Sequence, residues 1–260
     1  MSQSAVLKFT RLKDRVSDAE WETRVNLAAM YRLMPLYGMT DLTANHITAR
    51  VPGTTNEFLI NPYGMLYEEI TASSLYKIDL EGNILLQPDV PYGINPAGYV
   101  IHSAIHGARH DIECVVHTHT RAGVAVSCMT EGLLPLNQTA MVVTNSLAYH
   151  DFEGPALNLE ERERLVADLG DKYNLMLRSH GLLSCGRTIP EAFYNIYYFE
   201  SACRIQVDLM AAGAKYITPT QAAQDGMTVC MANNRQQPLG SMDWPTLLRR
   251  VDRLLPGYEQ

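Results

Sequence analysis

Two histidines one residue apart, His117 and His119, close the segment Cys114-Val115-Val116-His117-Thr118-His119. The residues before them are β-type, and in a strand side chains two apart share a face, so both imidazoles point the same way near a strand end. That geometry suits a metal. Zinc takes neutral imidazole nitrogens at about 2.0–2.1 Å, and a catalytic zinc keeps three protein ligands and one open position. His180 follows a second β-type run and precedes Gly181, which permits a tight backbone, so it is the candidate third ligand. The spacing alone leaves another reading open, in which the two are hydrogen-bonded core or surface histidines.

A second histidine pair, His102 and His106, is spaced for one helix face, with Gly98 and His110 continuing the stripe. Ser103 follows His102 where a metalloprotease H-E-x-x-H would need glutamate, so peptidase chemistry is disfavoured. There is no G-x-G-x-x-G and no G-x-x-x-x-G-K-[ST], and Leu182-Leu183-Ser184-Cys185-Gly186 lacks the first glycine of a nucleophile elbow. Nucleotide and serine-hydrolase readings have no support. The five cysteines form no C-x-x-C pair and read as reduced thiols, mostly core filler.

The elements that must position these histidines are legible in the patterning. Ser17-Asp18-Ala19-Glu20 is a capping box, and Leu27, Met30, Tyr31 and Met34 repeat at helical spacing up to Tyr37-Gly38. Short β-type runs follow at Ile47–Val51, Glu57–Ile60, Tyr76–Leu80 and Ile84–Leu86. Asn95-Pro96 opens a helix carrying Ile101, Ala104, Ile105 and Ala108. After the strand at Cys114–Val116 come a small-residue helix from Ala122 to Cys128, a helix from about Leu157 to Leu169 and a strand at Leu175–Leu177. The longest helix opens at Thr188-Ile189-Pro190-Glu191 and runs to Gly213, apolar over much of its circumference. Residues 214–240 read as irregular, and Trp244–Leu255 as a terminal amphipathic helix. With no repeat and no low-complexity linker, the expectation is one α/β domain over 1–260, with its core at about 20–215 and a C-terminal extension at 216–260.

The 260 residues are 47% hydrophobic and 19% charged, with 21 Lys and Arg against 28 Asp and Glu, a net charge of −7. That is ample apolar material for a core, and no basic face is left for a nucleic acid. No apolar run approaches the ~18 residues of a membrane span, and the first residues carry no signal-peptide core, so a soluble, cytoplasmic protein is expected.

Together the segments Ala44-Asn45-His46-Ile47-Thr48-Ala49-Arg50, Phe58-Leu59-Ile60-Asn61-Pro62-Tyr63-Gly64, Val115-Val116-His117-Thr118-His119 and Ser179-His180-Gly181-Leu182-Leu183 resemble the class II aldolase/adducin family. That family includes fuculose-phosphate aldolase, ribulose-phosphate 4-epimerase and the head domains of adducins. The resemblance covers about residues 20–215. It implies a three-layer α/β/α sandwich around a mainly antiparallel sheet, a divalent ion, commonly zinc, on His117, His119 and His180, and a fourfold homo-oligomer with sites at subunit boundaries. In the family the ion acts as a Lewis acid that stabilises an enediolate.

The chain also departs from the aldolase pattern. The family's catalytic glutamate aligns with Gly98, which carries no proton and no ligand atom. The phosphate-clamp pairs become Ala44-Asn45, Tyr63-Gly64 and Pro96-Ala97, losing hydroxyl donors and one backbone N–H. The resemblance therefore points to an unphosphorylated small molecule, met by Asn45, Asn61 and Gly64, and the wording Asn95-Pro96-Ala97-Gly98-Tyr99 resembles the adducin-like branch. His102, one helical turn beyond Gly98, is the candidate fourth ligand or proton carrier. Tyr258 stands where a family tyrosine reaches a neighbouring subunit's site as proton donor. The expected function is a metal-dependent lyase, of aldolase or decarboxylase type, for a small hydroxycarbonyl or carboxylate compound. The alternative is an adducin-like non-catalytic oligomeric scaffold with a structural or vestigial metal site.

Overall fold

The computed structural model describes residues 11–154, 160–213 and 215–260, without the side chains of Pro96, Ala97 and Tyr99. The expected helix start at Leu157 and the side chains of the Pro96-Ala97 pair lie outside this description. Helix α1 (Asp18–Leu36) begins where the Ser17 hydroxyl accepts a hydrogen bond from the Glu20 amide at 3.2 Å, and it ends before Gly38, whose φ is 65°. Its Leu27, Met30, Tyr31 and Met34 are fully buried, as their spacing requires.

Strands β1 (His46–Arg50), β2 (Glu57–Ile60), β3 (Tyr76–Asp79) and β4 (Ile84–Leu86) follow, then helix α2 (Pro96–Ala108), strand β5 (Cys114–Thr118), helices α3 (Arg121–Ser127) and α4 (Gln138–Thr144), and strand β6 (Leu147–His150). The chain continues through helix α5 (Glu161–Leu169), strands β7 (Asn174–Leu177) and β8 (Gly181–Gly186), and helices α6 (Ile189–Ala211), α7 (Gln221–Asn234) and α8 (Trp244–Leu254). The eight strands form one sheet in the order β4-β3-β2-β1-β5-β8-β7-β6. Every neighbouring pair is antiparallel except β6 and β7. The fold is α/β around a mixed, mostly antiparallel sheet.

Alternation along the central strands divides the core. Val116, Met176 and Leu182 join the apolar cluster of α1 and α6, while Val115, Leu175, Leu177, Leu183 and Cys185 join Ile101 and Ile105 of α2 and Leu165 and Leu169 of α5. His117, two residues beyond Val115, therefore faces α2. The register pairs His46 with His117 and Thr48 with Val115, and directly opposed residues share a face. Two histidines, His46 and His117, and Thr48 are thus brought to one side of the β1–β5 pair, against His102 and His106 of α2.

Four elements depart from the expectation. Strand β8 is buried at all six positions, so it shows no polar alternation. Helix α4 and strand β6 are short, at seven and four residues, too short for a periodic signal. The 214–240 segment, expected to be irregular, contains α7, which buries only Met231 and so has no apolar stripe, although Thr220 caps it through the Ala223 amide. The C-terminal segment returns to α1. Trp244 Nε1 donates to Asn26 at 2.8 Å, Arg32 donates to the carbonyls of Leu255 and Pro256, and the amides of Ala72 and Ser73 donate to the carbonyls of Tyr258 and Gln260. No helix among the described residues is long and apolar enough to cross a membrane.

Candidate metal centre

His117 lies in β5, His119 just past its end, and His180 in the turn before β8. Antiparallel pairing of β5 with β8 sets Thr118 opposite Leu182, which brings that turn beside the His-Thr-His segment. The approach depends on Gly181, because a Cβ there would stand 2.3 Å from the Thr118 carbonyl oxygen. Ser179, with φ at 55°, makes the left-handed step that precedes His180.

The three rings converge through their Nε2 atoms. His119 Nε2 lies 2.8 Å from His117 Nε2 and 2.9 Å from His180 Nε2, with ring centroids 4.6–4.8 Å apart. The ligand atoms of the three residues all lie within 4.8 Å of one another, the reach of a single ion. The outer nitrogens fix the tautomers. His117 Nδ1 donates to the Leu182 carbonyl at 2.9 Å, and His119 Nδ1 donates to the Asp41 carboxylate at 3.1 Å. With those Nδ1 protons turned outward, the Nε2 atoms of His117 and His119 present lone pairs to each other, and adjacent lone pairs repel unless a cation stands between them. Burial, then His180, His119 and His46, hold His117 well below the usual imidazole range, and burial with His119 pushes His180 down to about 4. Neutral imidazole is the ligating form, so this donor set fits a divalent ion. His117 is buried, whereas His119 and His180 are partly exposed, which leaves one side open.

The remaining expected residues lie at different depths. Asn45 is buried, its Oδ1 faces the His119 amide at 3.5 Å, and its Nδ2 has no hydrogen-bond partner among the described residues. A buried unpaired amide is costly, and this one lies beside the triad. Asn61 has no such free atom: Oδ1 accepts from Tyr31 Oη at 2.8 Å and Nδ2 donates to the Pro62 carbonyl at 3.2 Å. Gly64, at φ 110°, packs under Tyr92, whose ring a Cβ would approach to 2.9 Å.

His102 does not join the triad. Its Nε2 is 2.9 Å from His46 Nδ1 and its Nδ1 is 2.7 Å from Thr48 Oγ1, so both nitrogens are engaged and His46 stands between it and His117. The expectation of His102 as a fourth ligand is corrected on that ground. Tyr258 is buried within its own chain, where its hydroxyl donates to Asp252 at 2.9 Å. Asp41 and His46 were not foreseen in these roles. Asp41 had no signal, since it is an isolated acid in a turn. His46 had one, a histidine next to Asn45 with a glycine on the facing helix stripe, and it lacked only the strand pairing.

A model of the class II aldolase and adducin N-terminal domain matches residues 25–207. The chain belongs to that family. A Caulobacter vibrioides protein named for aldolase class 2 is 52% identical over 248 residues, 95% of each chain. Rat alpha-adducin is 40% identical over 251 residues, which are 90% of this chain and 33% of adducin. Among solved structures, an aldolase II superfamily protein from Pseudomonas syringae shares 45% identity at a TM-score of 0.89, covering 96% of this chain and all of its own. L-fuculose 1-phosphate aldolase from Glaciozyma antarctica, at 23% identity and a TM-score of 0.79 over 95% of this chain and 94% of its own, shares the fold.

Proposed function

We propose that this class II aldolase family member is a metal-dependent lyase, of aldolase or decarboxylase type, for a small unphosphorylated hydroxycarbonyl or carboxylate compound. The observation that carries the reading is the convergence of three imidazole Nε2 atoms, with the outer Nδ1 of His117 turned to Leu182 and that of His119 to Asp41. His117, His119 and His180 hold the ion, which we take to be zinc. When bound, a divalent ion polarises a carbonyl oxygen and stabilises the negative charge left as a C–C bond breaks. Asn45 Nδ2 donates to an oxygen of the substrate, with Asn61 and Gly64 shaping the wall behind it. His102 acts through His46 and does not touch the substrate. Tyr258, whose phenol is pushed up to about 12 by burial and Asp252, keeps its proton at neutral pH, as a proton donor to a neighbouring subunit's site must. The reading includes a single three-layer α/β/α domain, a cytoplasmic homotetramer, and no nucleic-acid or membrane partner.

A panel of hydroxycarbonyl compounds and acids, assayed with and without chelator, tests the proposal. A cleavage activity that chelation abolishes and zinc restores supports it. Silence across the panel from fully loaded protein favours the second reading, an adducin-like oligomeric scaffold, which the 40% identity to alpha-adducin over 90% of the chain supports.

A further inference from the structure

His46 and Gly98 compete for one space. A Cβ on residue 98 would stand 2.1 Å from Cδ2 of His46 and 2.7 Å from its Cγ and Nε2, so the imidazole can lie where it does only opposite glycine. The ring is held there from behind by a buried series of contacts. His46 Nδ1 meets His102 Nε2 at 2.9 Å, His102 Nδ1 meets Thr48 Oγ1 at 2.7 Å, and Thr48 Oγ1 meets His106 Nε2 at 2.8 Å. Each neutral member owns one mobile proton, so the series runs in one of two directions.

At the near end, His46 Nε2 makes no hydrogen bond among the described residues. In one direction of the series that nitrogen accepts and in the other it donates, and a hydroxyl can meet it either way. The His46 ring stands 5.4 Å, centroid to centroid, from that of His117.

We propose that His46 belongs to the ligand pocket of the metal site, admitted by glycine at 98 and oriented by His102, and that its Nε2 exchanges a hydrogen bond with a hydroxyl of the ligand. The site is thereby matched to a small hydroxylated carboxylate or carbonyl compound and against its analogue lacking the hydroxyl. This role rests on the metal-site reading above.

One ligand comparison in three proteins tests this. In Co(II)-loaded protein, followed by its visible spectrum, glycolate is expected to bind about tenfold more tightly than acetate, the worth of one net hydrogen bond. The preference should fall towards parity in His46→Phe and in Gly98→Ala, with Co(II) uptake retained. An unchanged preference in both variants overturns the role of His46. Failure of the wild-type chain to take up Co(II) overturns the metal reading and the ligand role with it, whereas an unchanged preference in loaded protein overturns the role of His46 alone.

Discussion

Asp41 accepts a hydrogen bond from Nδ1 of His119 at 3.1 Å, and this contact settles which nitrogen of His119 faces His117 and His180. Without it the ring is free to place a proton on Nε2 and lose its ligating lone pair. Asp41 is half-exposed, so its removal costs the fold little. Asp41→Ala should weaken divalent-metal affinity about 10–100-fold, the usual cost of losing such an outer partner. Competition against a chromophoric chelator measures it, and wild-type affinity in the variant would contradict the orienting role.

Asn45 separates binding from folding. Its Nδ2 is buried without a partner among the described residues and its Oδ1 meets the His119 amide only at 3.5 Å, so truncation removes little that holds the chain together. Asn45→Ala should change unfolding free energy by no more than about 1 kcal/mol while weakening the binding of glycolate to metal-loaded protein. Thermal melts and ligand titration check both halves. A large loss of stability with unchanged binding would make Asn45 a structural residue.

The buried histidines on α2 make a pH signature. Burial, with the nearby Arg50 guanidinium adding to it, pushes His106 from its ordinary 6.5 down to about 3. Between those values the unfolded chain binds a proton that the folded chain refuses. Stability from this group is therefore complete above about pH 6.5 and is lost as pH falls, by up to about 1.4 kcal/mol per pH unit, until the folded form itself titrates. Urea midpoints taken from about pH 7 down to about pH 4 should fall steeply in the wild type and less in His106→Gln. Parallel curves would refute the assignment.

Tyr258 is best tested without truncation, because residues 258 and 260 accept backbone hydrogen bonds from Ala72 and Ser73. Tyr258→Phe removes the hydroxyl alone. If that hydroxyl delivers a proton in the reaction, turnover should fall by about 10²-fold or more with metal content unchanged. Full turnover with a small stability loss, from the missing bond to Asp252, would leave Tyr258 a structural residue.

The sequence carried the triad and most of the sheet because those signals are local. His117-Thr118-His119 shows its common face by strand alternation alone, and Ser17, Asn95-Pro96 and Thr188 announce their helices. The partners of the triad were not legible, because they come from pairing. His46 meets His117 only through the β1–β5 register, and Asp41 reaches His119 from a turn with no pattern of its own. Strand β8 and helix α7 escaped for opposite reasons, one buried on both faces and the other exposed on nearly all of them. His102 was legible as a site residue and misplaced by one layer, since only coordinates show that His46 fills the space opposite Gly98.

Metal stoichiometry tests the central claim most directly. Elemental analysis of the full chain, purified without chelator and then offered zinc, should find about one divalent ion per chain in the wild type and close to none in His119→Ala, with both proteins folded by circular dichroism. Wild-type protein that stays metal-free under saturating zinc, or a His119→Ala variant that loads as fully as the wild type, would contradict the three-histidine centre.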